Sequence, residues 1–238
     1  MGDVGVGDMN DRQGAPEKGT GAWGQAILAF VLFGVVAGGL WLQDAFAGPG
    51  TDSGPATCST SDDASPAPRK RVSGAQLCTA LNRKDLPKLV GTPLEEAEYA
   101  TGSESESRWA SGTKTITPEA KVELESHTVQ ISASYDDLPV AESIDYLGAG
   151  AQSRTVLGHK AVLYSGRTIA ISFRLDGGDA TSGPGGVARH LLVASDTKDK
   201  GDTYDLVIWR EDRLPPDDAA LFRIAEKVLP TLPGWKSG

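Results

Sequence analysis

The first concentration of apolar residues in this chain is an uncharged run from Ala26 to Leu42. Its 17 residues would span about 25 Å as a helix, close to the thickness of a bilayer core. The run is apolar all round, whereas a core helix of a soluble protein normally keeps a polar stripe. Trp23 and Trp41 lie at its two ends, where indole rings favour the headgroup region. The pattern predicts a transmembrane helix within residues 23–46.

The charges that flank this segment predict its orientation. Arg12 and Lys18 precede it, and the twenty residues after it contain no Lys or Arg, which places the N-terminus inside. We therefore expect residues 1–22 to be a disordered cytoplasmic arm and the rest of the chain to be extracytoplasmic. Ala45-Phe46-Ala47 has the form of a signal-peptidase site, so secretion after cleavage near Ala47 is an alternative to a retained anchor.

Residues 47–72 contain mainly Gly, Pro, Ser, Thr, Ala and Asp, a composition that predicts an extracytoplasmic flexible linker. The two cysteines, Cys58 and Cys78, follow the anchor, and an oxidising compartment would allow them to pair. We predict a disulfide, whose loop of about 20 residues would contribute roughly 3 kcal/mol. Two free thiols or a metal site are the alternatives, and the lack of a nearby histidine disfavours the metal.

Apolar spacing changes twice in residues 73–238, from helical to alternating and back to helical. Leu77, Cys78 and Leu81 share one helical face, and Gly91 ends this first unit. The stretch 92–95 has the form of a capping box, which predicts a short helix or a turn. The strands are expected to begin after a polar stretch around residues 102–107.

Alternating residues predict three antiparallel pairs. In the first, the alternation runs through Val122 and Leu124 and then from Val129 to Tyr135. The apolar positions change from even to odd numbers between Leu124 and Val129, which requires a bulge or turn near Ser126-His127. In the second, strands 161–164 and 169–175 are joined by a tight turn at Ser165-Gly166. The third joins 191–193 to 204–208, and the glycine-rich loop 177–186 is expected to belong to neither strand.

An amphipathic helix closes the chain. Pro216 precedes it, Leu221 and Ile224 recur at helical spacing, and Pro230 stops it. Helix, antiparallel strands and helix in this order predict the α+β class, a sheet flanked by N- and C-terminal helices in one domain, 73–238.

Composition excludes one class of partner and leaves others open. The formal charge of −9 excludes nucleic acid, whose phosphates require clustered cations. The expected partners are membrane lipid through the anchor and a protein or cell-wall component.

Catalytic and metal-binding signatures are absent from the sequence, and no cofactor is expected. We expect His127, His159 and His190 to be surface or strand-edge residues, because no Gly-x-Ser-x-Gly elbow accompanies them. The acidic pairs Asp136-Asp137 and Glu123/Glu125 are expected to be solvated. Trp109, Trp209 and Trp235 could line a sugar or peptide groove or pack in a core. Trp209 alternates out of step with Ile208, so it is the predicted exposed ligand contact.

The segments Gln76-Leu-Cys78, Leu89-Val-Gly91, Gly158-His-Lys-Ala161 and the closing run 219–229 give a layout that resembles actinobacterial membrane-anchored or secreted domains of unknown function. These include lipoprotein-like α+β modules, although this chain has no lipobox. The resemblance implies an α+β fold, and the family has no established activity to transfer to this chain. The sequence as a whole favours a non-enzymatic interaction or accessory module at the cell surface. A small-molecule or glycan-binding module and a hydrolase with an unrecognised site are the alternatives.

Overall fold

A computed structural model describes residues 55–60, 71–108, 114–148, 150–172 and 181–236. The predicted arm 1–22, the predicted transmembrane segment 23–46 and most of the predicted linker lie outside these residues. Within the described ranges, no helix is long and apolar enough to cross a membrane.

The described residues form one eight-stranded sheet and four α-helices. The strands are β1 (Ser59–Thr60), β2 (Tyr99–Arg108), β3 (Lys114–Glu123), β4 (His127–Tyr135), β5 (Gln152–Val156), β6 (His159–Ser172), β7 (Thr181–Ala194) and β8 (Asp202–Arg210). The helices are α1 (Gly74–Leu81), α2 (Leu86–Val90), α3 (Val140–Ser143) and α4 (Asp218–Val228), followed by a 3-10 turn, Leu229–Thr231. The predicted α+β class is confirmed, with a large sheet and few helices.

The strand order is β1-β2-β3-β4-β8-β7-β6-β5. All neighbours are antiparallel except β1 and β2, which are parallel. Since β8 lies between β4 and β7, the connection from β4 to β5 must cross the sheet. The sequence of hairpins predicted from alternation did not show this insertion, because strand order depends on long-range pairing.

Two ends of the sheet are used as landmarks below. His127 pairs with Arg210 at one end of the β4–β8 ladder, and Tyr135 pairs with Asp202 at the other. We call these the Arg210 end and the Tyr135 end. Strands β6 and β7 continue as a two-stranded arm beyond β8 at the Arg210 end, because β7 pairs with β8 only from Ala188 onward.

One face of the sheet, the helix-covered face, carries the main core. Val129, Ile131, Leu206 and Ile208 are fully buried there. Helices α1, α2 and α4 contribute the other half of this core through apolar residues at helical spacing: Leu77, Cys78, Leu81, Leu86, Leu89, Leu221, Ile224, Ala225 and Val228. The strand residues of opposite parity lie on the second face, which these three helices leave uncovered.

Local signals at the first two helices are partly as expected. Gly91 ends α2 with a left-handed φ of 102°, as predicted. The capping box, however, is at the start of α1, where Ser73 Oγ accepts from Gln76 N at 3.2 Å and Gln76 Oε1 accepts from Ser73 N at 2.9 Å. Residues 92–95 form a turn, in which Glu95 N donates to Thr92 O at 3.0 Å.

Three predictions about the strands are wrong. The polar stretch 102–107 belongs to β2, β6 runs through the expected turn at Ser165-Gly166, and β7 includes much of the glycine-rich loop 177–186. The backbone ladder explains all three, because its hydrogen bonds need no apolar side chain and are completed by the neighbouring strand. The predicted turn near Ser126-His127 is present between β3 and β4.

The predicted disulfide is confirmed. Cys58 and Cys78 are joined with an S–S distance of 2.00 Å, and Cys78 is fully buried in the main core. The bond holds β1 beside β2, so Ser59 and Thr60 of the predicted linker pair with Thr101 and Gly102.

Candidate functional site: a polar cluster beside Trp209 on the second face

The second face of the sheet carries a row of residues that places Trp209 beside two small side chains. Trp209 of β8 pairs with Ala188 of β7, which in turn pairs with Gly166 of β6. Thr128 of β4 is opposite Trp209 on its other side. Trp209 is half-buried, on the face opposite Ile208 as its parity predicts. Because Ala188 and Gly166 have little or no side chain, a ring could stack on the indole from this side of the row.

The next two rows on this face hold a cluster of three polar residues, with Tyr164 and His190 in the first row and Asp205 in the second. His190 Nδ1 lies 3.1 Å from Asp205 Oδ2, and Tyr164 donates its hydroxyl to the same oxygen at 3.0 Å. The rings of Tyr164 and His190 are stacked, with centroids 4.5 Å apart and an angle of 20° between planes. The hydrogen bond to Asp205 and the stacked ring of Tyr164 thus fix the imidazole in one orientation.

The orientation of His190 determines which nitrogen is available to a ligand. A carboxylate oxygen at Nδ1 favours the tautomer with the proton on Nδ1, so Nε2 of the neutral ring is an acceptor. Among the described residues, Nε2 has no hydrogen-bond partner, and it lies beside Gly166, in the row of Trp209. The aromatic and polar parts of the site therefore adjoin.

Gly166 is required for this arrangement. A Cβ at position 166 would lie 2.6 Å from His190 Nε2, a distance that real Cβ contacts do not show. A glycine in the middle of a strand often marks such a close approach. The imidazole occupies the space that any other residue at 166 would fill.

Electrostatics keep Tyr164 as a donor. Burial, followed by the charge of Asp205 and its hydrogen bond, raises the pKa of Tyr164 well above that of free tyrosine. The hydroxyl consequently remains protonated at physiological pH. The second oxygen of Asp205, Oδ1, is buried and has no partner in the described part of the chain.

A wall borders the site on the Tyr135 side. The crossing connection from β4 to β5 contains α3 and packs Val140 against Val162, Tyr164 and Ala194. Asp199 anchors this wall: its carboxylate is almost fully buried and accepts from Val140 N at 2.7 Å and Ala141 N at 3.0 Å. The wall shields Tyr164 from water. The row of Trp209 lies outside the wall, toward the Arg210 end.

A second polar group lies on the same face toward β3. Glu119 accepts from Ser103 Oγ at 3.2 Å and from Gln130 Nε2 at 3.4 Å. Burial raises the pKa of Glu119, against the opposing effects of the Ser103 hydrogen bond and the charge of Lys121. The polar surface thus continues from β7 and β8 across β4 to β3.

The sequence predicted that the three histidines are surface or strand-edge residues, and their burial in the structure corrects the surface assignment. His127, His159 and His190 are 5%, 0% and 8% exposed. His127 contacts Ser126 Oγ at 2.7 Å, and Ser126 donates to Glu95 at 2.6 Å. This contact fastens the loop before β2 to the β3–β4 turn.

The remaining aromatic candidates do not join Trp209. His159 Nδ1 lies 2.8 Å from the carbonyl oxygen of Ala194, and its ring stacks on Trp235 at 3.9 Å. Trp235 also contacts Tyr204 and packs against the main core, so its role is packing. Trp109 lies outside the described residues.

The two acidic pairs lie at opposite ends of β4. Asp136 and Asp137 lie in the turn after β4, where Asp136 accepts from Leu138 N at 3.1 Å. Glu123 pairs with Lys121 at 2.7 Å, and Glu125 is exposed. In the described ranges, no group of three His, Cys, Asp or Glu residues could hold a metal ion.

Sequence reasoning identified Trp209 but missed Tyr164, Gly166 and Asp205. The signal was present in the parity of β8, where Asp205 and Trp209 share a face. The interpretation of Ser165-Gly166 as a turn hid the rest, because it ended β6 before its register with β7 could be traced.

Comparison with known proteins adds a family but no activity. No curated protein and no solved structure matches the chain. A family model described as a family of unknown function, DUF6215, matches residues 17–150. This range covers more than half of the chain, includes the apolar run 26–42 and ends before β5, so Tyr164, His190, Asp205 and Trp209 lie outside it. The chain belongs to the DUF6215 family.

Proposed function

We propose that this protein is a membrane-anchored, extracytoplasmic accessory module that acts by binding rather than by catalysis. The anchor is the apolar run 26–42, which lies inside the range matched by the family model. The Cys58–Cys78 disulfide supports an oxidising compartment for the domain. The predicted kinship with actinobacterial anchored domains is part of the same proposal.

The row of Trp209, Ala188 and Gly166 beside His190 carries the binding proposal. An indole face suits the apolar face of a ring, and a free imidazole nitrogen suits a hydroxyl or amide donor. Small molecules and glycans combine these two features. The ligand that we propose is therefore a ring with polar substituents, such as a component of the cell wall.

Calorimetric titration of the full chain with a panel of soluble cell-wall glycans tests this proposal. Binding should be lost in Trp209→Ala and kept in Trp235→Phe, since Trp235 packs against the core. Intrinsic fluorescence should shift on binding in the wild type and not in Trp209→Phe. Equal affinities of wild type and Trp209→Ala for every glycan that binds would refute the Trp209 site.

The His190–Asp205 pair favours hydrolysis as the second candidate. A histidine oriented by a carboxylate is a common general base. Turnover of ester or glycoside substrates that is abolished in His190→Gln would replace the binding proposal. Glycan binding by the wild type without turnover of any substrate would retain the binding proposal.

A further inference from the structure

The row that contains Trp209 continues across the second face to another aromatic residue. Thr128, which is opposite Trp209, pairs with Glu123 of β3. Glu123 pairs in turn with Tyr99 of β2, which is half-buried like Trp209. Three strand spacings separate the two aromatic residues, about 14 Å along the row. The row therefore places two aromatic side chains farther apart than the length of one sugar ring.

The middle of this row is low. Thr128 is 2% exposed, and its hydroxyl donates to Glu211 Oε1 at 2.9 Å. Val207 of β8, one row toward the Tyr135 end on the same face, is 8% exposed. Trp209 and Glu123 on either side are larger and more exposed. Thr128 and Val207 therefore form the floor of a shallow trough between Trp209 and Glu123.

A pair of opposite charges lies between this floor and Tyr99. Lys121 Nζ lies 2.7 Å from Glu123 Oε1 and 5.6 Å from the centre of the Tyr99 ring. The side chain of Glu123 is 40% exposed, so its carboxylate can also accept from a ligand. An ammonium beside a carboxylate offers a donor and an acceptor to neighbouring hydroxyls, the arrangement that a sugar ring presents.

The charges of this face disfavour an anionic ligand. Among the described residues of β2, β3, β4 and β8 on the second face, one ammonium, Lys121, faces three carboxylates: Glu119, Glu123 and Asp205. These carboxylates would repel an acidic glycan, because Lys121 neutralises only one of them. Uncharged hydroxyls can donate to Glu123 and to His190 Nε2 without this repulsion. The face is therefore complementary to a neutral ligand that is rich in hydroxyls.

We infer that the ligand of the Trp209 site is a neutral oligosaccharide that lies across the strands, with one ring on Trp209 and another on Tyr99. The inference rests on the proposed binding function and specifies its ligand. The part of the chain between these rings passes over Thr128 and meets the Lys121–Glu123 pair. A single sugar occupies only the Trp209 end. Affinity therefore rises with chain length until both aromatic residues are in contact with the ligand.

Calorimetric titration of the full chain with oligomers of N-acetylglucosamine and of glucose, from the single sugar to the hexamer, tests this inference. The hexamer should bind the wild type about tenfold more tightly than the single sugar does. Tyr99→Leu keeps an apolar side chain and removes the ring. It should abolish most of the gain with length and leave the affinity for the single sugar unchanged.

Two controls accompany this titration. Tyr146→Leu is the matched variant, because Tyr146 is 53% exposed and lies in the crossing connection, outside the row of Trp209. Its affinities should equal those of the wild type at every length. Galacturonic acid oligomers of the same lengths carry a carboxylate on each ring and should bind the wild type about tenfold more weakly than the neutral oligomers.

The outcomes separate this inference from the proposed function. Equal affinity of the wild type for the single sugar and the hexamer overturns the extension to Tyr99 and retains the Trp209 site. A gain with length that persists in Tyr99→Leu does the same. Absence of binding by every oligomer overturns the inference, and it overturns the proposed function as well if the cell-wall glycans also fail to bind. A dimer in light scattering that dissociates in Trp209→Ala, without oligosaccharide binding, would assign the row to a second copy and overturn the inference.

Discussion

The position of Gly166 under the His190 imidazole predicts that two glycine-to-alanine substitutions on paired strands have opposite effects. In Gly166→Ala the new Cβ would lie 2.6 Å from His190 Nε2, whereas at Gly183 of β7 no atom lies within 4 Å of the added Cβ. Neither glycine has a positive φ, so alanine fits the backbone at both positions. The two variants differ in what the methyl group meets.

The magnitude follows from the contacts of His190. Forcing a methyl group into a packed position costs about 1–3 kcal/mol. Displacing the ring also weakens its hydrogen bond to Asp205, which contributes about 0.5–1.5 kcal/mol. Alanine in a strand recovers about 0.5–1 kcal/mol relative to glycine. We expect Gly166→Ala to lower the free energy of unfolding by about 1–3 kcal/mol and Gly183→Ala to raise it by about 0.5 kcal/mol.

Urea unfolding of both variants measures these differences as shifts of the midpoint at constant slope. Nitrogen-15 spectra of the histidines provide a second readout, because Gly166→Ala should reduce the preference of His190 for the Nδ1-protonated tautomer. Free energies within 0.5 kcal/mol of each other, with an unchanged His190 spectrum, would refute the packing argument.

Three further predictions concern stability. Cys58→Ala should destabilise the domain by about 3 kcal/mol, because it opens the loop to Cys78, and should lower Tm by roughly 6–12 °C; a reductant should change the Tm of the wild type but not of the variant. Burial raises the pKa of Glu119, so the folded state holds the carboxyl proton more tightly than the unfolded state, and the contribution of Glu119 to stability falls as pH rises through the folded pKa. In Glu119→Gln, a pH series of urea unfolding midpoints should therefore be flatter above about pH 4 than in the wild type. The same series in the variant and the wild type would contradict a raised pKa at Glu119. Asp199→Ala removes the acceptor of two backbone amides and should cost about 1–2 kcal/mol in urea unfolding, whereas Asp199→Asn should cost less.

Alternation and helical spacing were reliable where one face of an element is buried. The strands around Val129–Tyr135 and 204–208 and the closing helix were predicted because a buried face requires apolar residues at a fixed period. β2 was missed because its residues beyond Ala100 are mostly polar or small, although the ladder with β3 holds it. The glycine-rich start of β7 was missed for the same reason.

The candidate site illustrates a different limit. Parity in β8 is local information, and it placed Trp209 on the second face correctly. The neighbours of Trp209 depend on β8 lying beside β7 and on the register of β7 with β6. Neither relation leaves a periodic signal in the chain, since pairing between distant strands is set by the packing of the whole sheet.

The sequence by itself determined the apolar run, the acidic charge, the α+β class and the pairing of Cys58 with Cys78, because each depends on composition or on spacing along the chain. The tertiary structure alone decided that Tyr164, His190 and Asp205 meet beside Trp209. That meeting requires residues from separate strands to be placed in register, and the insertion of β8 between β4 and β7 brings those strands together.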